Sequence, residues 1–238
     1  MTHSKNYIGT YRDDFGTTDI IIHNDFETLS LKIDGIEFKG SQFTSLEIIN
    51  ERAYSAKQLE RFTFYSTQIH GTDDFVEEIC NCTFNFTIPQ FIIDLQTQEQ
   101  FLVDLKLQYV IGNERPKSLG GGLEFEKIYL NLVISDNVFE ATGDLFETIF
   151  ENIQSQLDGK YKLKNCFGCL YSDYSIYGHN ALGSMMCFVN QKEKYLQVKN
   201  KSEFMVCMDD LTKDFKCVQE IFCCDKFEIR RKGTGYRG

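Results

Sequence analysis

The sequence predicts a mainly β protein: an antiparallel β-sandwich or open barrel, one amphipathic helix and a cysteine-rich C-terminal module of zinc-knuckle type. Three features carry this. Short runs of alternating apolar residues recur between turn signals as far as about Ser135, one stretch of helical periodicity follows, and seven of the nine cysteines lie beyond it. Strands that succeed one another without helices favour a two-sheet or barrel arrangement, because a parallel sheet needs a crossover helix between strands.

Residues 19–23, 28–33, 36–39, 44–49 and 61–66 are the first candidate strands, with Asp34-Gly35 marking a tight hairpin turn. The clearest strand sets Cys80, Cys82, Phe84, Phe86 and Ile88 on one face and is expected to end at Pro89. Another sets Phe101, Val103, Leu105, Leu107, Tyr109 and Ile111 inward, with Asp104, Lys106 and Gln108 opposite, as in a half-buried antiparallel strand. Between Leu123 and Ile134 the apolar phase slips, from Leu123 and Phe125 to Ile128, Leu130, Leu132 and Ile134, so a bulge or a change of partner sheet is expected. Gly120-Gly121-Gly122 reads as a flexible turn. It lacks the Lys-Ser/Thr pair and the strand-to-helix junction of a phosphate loop.

The helix spans residues 144–157. Asp144 is its N-cap, Glu147 completes a capping box, and Leu145, Phe146, Ile149, Phe150, Ile153 and Leu157 form an apolar stripe that packs on the sheet. Gly159 ends it where a left-handed residue is needed. The chain therefore divides into a sandwich-like domain (1–141), a connecting helix (142–159) and a cysteine-rich module (160–238), the last reading as short strands and loops without a large core of its own.

Composition excludes several classes. With 42% apolar residues, 14% aromatics and two prolines the chain buries a core, so disorder and low-complexity architectures are out. No apolar stretch approaches the roughly 18 residues that span a bilayer, and the N-terminus lacks an export pattern, so a cytoplasmic protein with no membrane partner is expected. The net charge of −10 is unevenly spread: residues 159–238 hold 14 Lys+Arg against 9 Asp+Glu, leaving 11 against 26 in residues 1–158. An acidic surface of that size repels nucleic acid and suits a basic protein partner.

An odd count of nine cysteines without an export signal argues for reduced thiols. Cys166-Phe-Gly-Cys169 is a C-x-x-C turn whose glycine lets both sulfurs face one ion, the first half of a tetrahedral zinc knuckle. Cys187, after 17 intervening residues, and Cys223 or Cys224, after a further 35 or 36, can complete one structural zinc site. Adjacent cysteines in an extended segment point to opposite faces, so only one of that pair reaches the metal. Cys207 and Cys217 are reserves. Cys80 and Cys82 share a face with Phe84 and Phe86 and are expected to be core. An iron–sulfur cluster would bunch three ligands more closely than this spacing does.

The C-terminal stretch from Cys166 through Tyr171-Ser172-Asp173-Tyr174, then Met185-Met186-Cys187-Phe188, Val218-Gln219-Glu220 and Lys232-Gly-Thr-Gly-Tyr-Arg-Gly238, resembles a bacterial family of the Bacteroidota with no assigned activity. In that pattern a cysteine stands two residues ahead of Phe-Glu, which the resemblance places on Cys224, before Phe227 and Glu228; Cys223 is a departure. The resemblance implies metal ligands Cys166, Cys169, Cys187 and Cys224.

No nucleophile elbow, histidine-rich metal motif or framed carboxylate pair is present, and four histidines leave little for a histidine-based site. The function expected is a non-catalytic cytosolic binding protein, of the kind that serves as an immunity protein or antitoxin-like inhibitor of a basic partner. Two alternatives stand beside it. An enzyme would use the loop of residues 171–179, where Tyr171, Asp173 and His179 lie beside the metal, although hydroxyls there more simply satisfy a turn, and His179 and His70 read as solvated. A nucleic-acid binder would use Arg230, Arg231, Lys232 and Arg237 with Tyr236 for stacking; a terminus pinned back across the acidic sandwich explains the same residues.

Overall fold

Asp13 shows how side chains set the sheet. Its Oδ1 accepts from the backbone N–H of Phe15 (2.9 Å) and Gly16 (3.1 Å), folding β1 (Lys5–Asp13) back on β2 (Gly16–Asn24) with Asp13 opposite Gly16. The register then puts Tyr7, Tyr11, Ile20 and Ile22 on the inward face. The computed structural model describes residues 4–69, 71–157, 159–176, 181–211, 213–235 and 237. The fold is mainly β, with more than one sheet and several short helices.

Two compact units interleave along the chain: Met1–Ile88, Leu105–Asn131 and Thr142–Asp144 form one, and Pro89–Asp104, Leu132–Ala141 and Leu145–Gly238 the other. In the first unit β3 (Leu29–Ile33) and β4 (Ile36–Gly40) pair through the expected Asp34-Gly35 turn, both residues left-handed at φ 46° and 85°. β5 (Glu47–Ile48), a single helical turn α1 (Ala56–Leu59), β6 (Thr63–Gln68) and β7 (Phe75–Cys80) follow. β8 (Cys82–Asp94), β9 (Gln100–Ile111), β10 (Glu126–Ile134) and β11 (Asn137–Gly143) each contribute one end to each unit. Within the first unit the hydrogen-bonded order is β10-β9-β8-β1-β2-β3-β4-β5-β7-β6, an open path rather than a closed barrel among the described residues. Its core is aromatic: Phe43 lies 4.9 Å from Phe86, 5.4 Å from Phe84 and 5.3 Å from Tyr109.

Several expectations need correction. The run from Cys80 to Ile88 is two strands, because Asn81 turns left-handed (φ 50°) between β7 and β8; both cysteines nevertheless remain buried. Pro89 does not end β8, which continues to Asp94. The proline is exposed, and a ring there is tolerated where its missing N–H is not required by the ladder. Residues 44–49 are not one strand: Ser45 Oγ accepts from the N–H of Ser41 and Gln42, both at 3.0 Å, which draws Phe43–Ser45 into a tight turn and leaves only the short β5. The phase slip after Leu123 is an irregular entry: Leu123 sits in an isolated bridge to Glu114, Phe125 is exposed, and the regular alternation begins inside β10.

In the second unit α2 (Phe146–Leu157) buries Phe146, Ile149, Phe150, Ile153 and Leu157, while Leu145 stays outside the stripe at 40% exposure. Gly159, at φ 84°, lets the chain reverse into β12 (Tyr161–Leu163), which pairs with the end of β8. Gln154 ties helix to strand, donating to Tyr161 O (3.2 Å) and accepting from Leu163 N (3.2 Å). A small antiparallel sheet of β13 (Ser172–Asp173), β14 (Met185–Cys187) and β15 (Lys216–Val218) follows, with α3 (Lys192–Tyr195) and α4 (Lys201–Leu211) between the last two strands. Here too the sequence reading is corrected. The C-terminal region has helices and a core of its own, in which Leu170, Phe188, Tyr195, Val198, Phe204 and Leu211 are buried together. At roughly 1.5–3 kcal/mol per buried large side chain, that cluster holds the region together before any metal is considered.

No helix among the described residues is long and apolar enough to cross a membrane.

Candidate metal centre

The C-x-x-C segment folds as a turn, with Cys169 N donating to Cys166 O at 3.2 Å. The downstream chain brackets it on both sides: Cys166 N donates to Phe222 O (2.6 Å), Phe167 N to Glu220 O (3.1 Å), Leu170 N to Glu228 O (2.7 Å) and Arg230 N to Gly168 O (2.9 Å). Gly168 is required by close approach, since a Cβ there would overlap the carbonyl of Leu163. A second turn of the same build begins at Cys224, whose carbonyl accepts from Phe227 N at 3.3 Å. Cys187 ends β14 opposite Ser172 in the ladder. Three separate cysteine-bearing segments thus meet through their backbones around this turn.

The sulfurs sense one another. Burial pushes the Cys166 thiol well above its ordinary range, and Cys169, Cys187, Cys224 and Cys223 push it further. Cys187 is raised by burial, is eased back by the N–H of Val189, and is raised again by Cys169 and Cys224. Cys224 raises both Cys166 and Cys187; the exposed Cys223 also raises Cys166, and its own thiol is pushed up to about 11 by burial, eased by Lys164 and raised again by Cys224 and Cys169. All nine cysteines are free. Among the described residues no three His, Cys, Asp or Glu side chains stand in metal-ligand geometry. A divalent cation bound by these cysteines would hold them as thiolates by displacing their protons. Cys207 lies against the α4 core and Cys217 is exposed on β15, while Cys80 and Cys82 are buried strand residues of the first unit.

Beside the cysteines lies a buried ion network that the sequence reading did not assemble. Asp173, fully buried, accepts from Arg237 Nε at Oδ1 (2.6 Å) and from the Tyr195 hydroxyl at Oδ2 (2.7 Å), with Arg230 Nη1 3.6 Å from Oδ2. Arg237 Nη2 donates to the carbonyls of Ser172 (2.9 Å) and Phe167 (3.3 Å), and its guanidinium covers the Phe167 ring at 4.6 Å. Arg230 donates to Thr234 O (2.8 Å) and to Ser172 O. Nearby, buried Glu220 accepts from the Tyr174 hydroxyl (2.8 Å) and from Gly183 N (3.0 Å); burial raises its carboxyl from 4.5 to about 7 against those hydrogen bonds.

The residues expected in the 171–179 loop are therefore committed to the fold. Ser172 Oγ donates to Cys166 O (2.5 Å) and Tyr171 OH to Glu228 (2.5 Å), while Tyr174 and Asp173 are engaged as above. His179, Tyr177, His70 and Tyr236 lie outside the described residues. The tail is pinned onto Asp173 of the C-terminal region, whereas the sequence reading places it across the acidic first part. The signal for this network was available only in part: the basic tail was visible, but its acceptor lies 64 residues upstream.

A family described as being of unknown function (DUF6304) matches residues 5–172, more than half of the chain, so its match includes Cys166 and Cys169 and stops before Cys187 and Cys224. Neither the curated proteins nor the solved structures compared with the chain gave a match.

Proposed function

The chain belongs to DUF6304, a family of unknown function, and on that premise we propose that it is a non-catalytic binding protein whose C-terminal module is tied by one structural zinc ion on Cys166, Cys169, Cys187 and Cys224. The observation that supports this is the backbone bracketing of the Cys166–Cys169 turn by the segment that carries Cys224, with Cys187 opposite Ser172 in the adjoining ladder. Four thiolates fill a tetrahedron and leave no position for water, which makes the ion structural. The enzyme alternative draws no support from Asp173 and Tyr174, which are fully buried and hydrogen-bonded within the protein. The nucleic-acid alternative loses Arg230 and Arg237 to Asp173.

The partner we propose is a basic protein, met in the cytoplasm in the manner of an immunity protein or antitoxin. Support comes from the 26 acidic against 11 basic residues in 1–158. We read the larger sheet as a sandwich, because inward rings such as Phe43, Phe86 and Tyr109 need an apolar layer facing them. Tagged protein expressed in its own cells should retain a basic protein that elutes as salt rises, since charge-driven contacts are screened within about 8 Å at physiological ionic strength. Retention of only acidic or salt-insensitive partners would set this reading aside.

A further inference from the structure

A recess of about 540 Å³ lies between α2, β12 and the C-terminal tail. Its walls carry Lys162, Arg230, Arg231, Lys232 and Arg237 against one carboxylate, Glu151. In a chain of net charge −10 this is a local inversion of sign. The Asp173 carboxylate balances part of the charge on Arg230 and Arg237 from behind, and Arg231 and Lys232 add two more positive charges at the exposed rim. Arg230 also keeps its Nε–H buried with no hydrogen-bond partner among the described residues.

We propose that this recess binds a small phosphate-bearing ligand, with Arg231 and Lys232 as its principal contacts and Lys162 closing the opposite wall, while Arg230 and Arg237, held by Asp173, add positive charge behind them. Guanidinium groups suit phosphate because their planar donors match pairs of its oxygens, and Arg231 offers such a fork at the exposed rim. Phosphate fits better than an aromatic ligand: the Phe167 ring is already covered by Arg237 at 4.6 Å and faces Phe150 at 5.3 Å, leaving no open face for stacking. A small ligand fits better than a nucleic acid. A duplex needs a stripe of some 6–10 phosphate contacts, whereas here the positive residues line a single recess on an acidic chain.

The test is calorimetric titration of the full chain, with its metal, using inorganic phosphate at low ionic strength and chloride at matched ionic strength as the control. One saturable phosphate site per chain is expected, weakened at least tenfold in the charge-reversal variant R231E/K232E, whose residues lie outside the buried Asp173 network. Lys162→Glu, on the other wall, should weaken it as well and serves if the double variant loses its native circular dichroism. Absence of saturable binding, or unchanged affinity in the variants, overturns the proposal. So does a ten-residue oligothymidylate that binds and is not displaced by phosphate, which would make the tail a nucleic-acid surface.

Discussion

Arg237 Nε meets Asp173 Oδ1 at 2.6 Å with the two side chains 5% and 0% exposed, so the last charged residue of the chain is locked to the strand that follows the cysteine turn. Removing one partner of a buried pair strands the other charge, at about 3–5 kcal/mol. Arg237→Ala should lie near the lower end, because Tyr195 and Arg230 still serve Asp173. Arg237→Lys should recover little, since a lysine cannot reach Asp173 and the Ser172 and Phe167 carbonyls together. Urea unfolding measures this, and a loss below about 0.5 kcal/mol in Arg237→Ala would show that the pair is not a structural lock.

Gly235 and Gly233 give a matched comparison. Both are left-handed, at φ 71° and 74°, but a Cβ on Gly235 would collide with Tyr195 Oη, Asp173 Oδ2 and Arg230 Nη1, whereas one on Gly233 meets nothing within 4 Å. Gly233→Ala should cost about 1–2 kcal/mol for its backbone alone. Gly235→Ala should cost clearly more in the same unfolding assay, and equal losses would mean that the tail does not seat on Asp173.

The sequence made the strands legible where one face is buried. The alternation in β9 and the second half of the slipped run name the buried residues correctly, because a period of two follows directly from the pleat. The Asp34-Gly35 turn and the Gly159 helix stop were legible because glycine reports a left-handed backbone. Residues 44–49 were misread because a serine side chain, not hydrophobic pattern, bends them. Helix α4 was hidden among cysteines and charges: its buried residues Phe204 and Leu211 are spaced by seven, and polar neighbours dilute the stripe. The cysteine pattern named candidate ligands, but the Asp173–Arg237–Arg230–Tyr195 network depends on contacts that no local pattern encodes.

Glu220 should make stability depend on pH. Burial raises its carboxyl from an ordinary 4.5 to about 7, so the folded protein holds this proton over a range where the unfolded chain has lost it. For a raised acid the stabilisation is greatest below the unfolded value and declines as pH rises through the folded one. The unfolding free energy should therefore fall between about pH 4.5 and 7, by up to about 3 kcal/mol from this group, and level off above. Glu220→Gln should lack that decline. Parallel curves for the two proteins would contradict the assignment.

The two adjacent cysteines should separate cleanly. Cys224→Ser should lower the melting temperature by several degrees and abolish any further loss on adding a strong chelator, as should Cys166→Ser. Cys223→Ser should behave like the unaltered protein, because Cys223 is exposed whereas Cys224 is partly buried. Because the α4 core remains, none of these changes should unfold the region completely. Equal effects at Cys223 and Cys224 would mean that neither is a specific ligand.

Metal content measured on the full chain, purified without added metal, bears most directly on the tetrathiolate site. One zinc per chain is expected, retained through dialysis, lost in Cys166→Ser and Cys224→Ser and kept in Cys223→Ser. Iron with acid-labile sulfide and visible absorbance, or a chain free of metal with its native melting temperature, would contradict it.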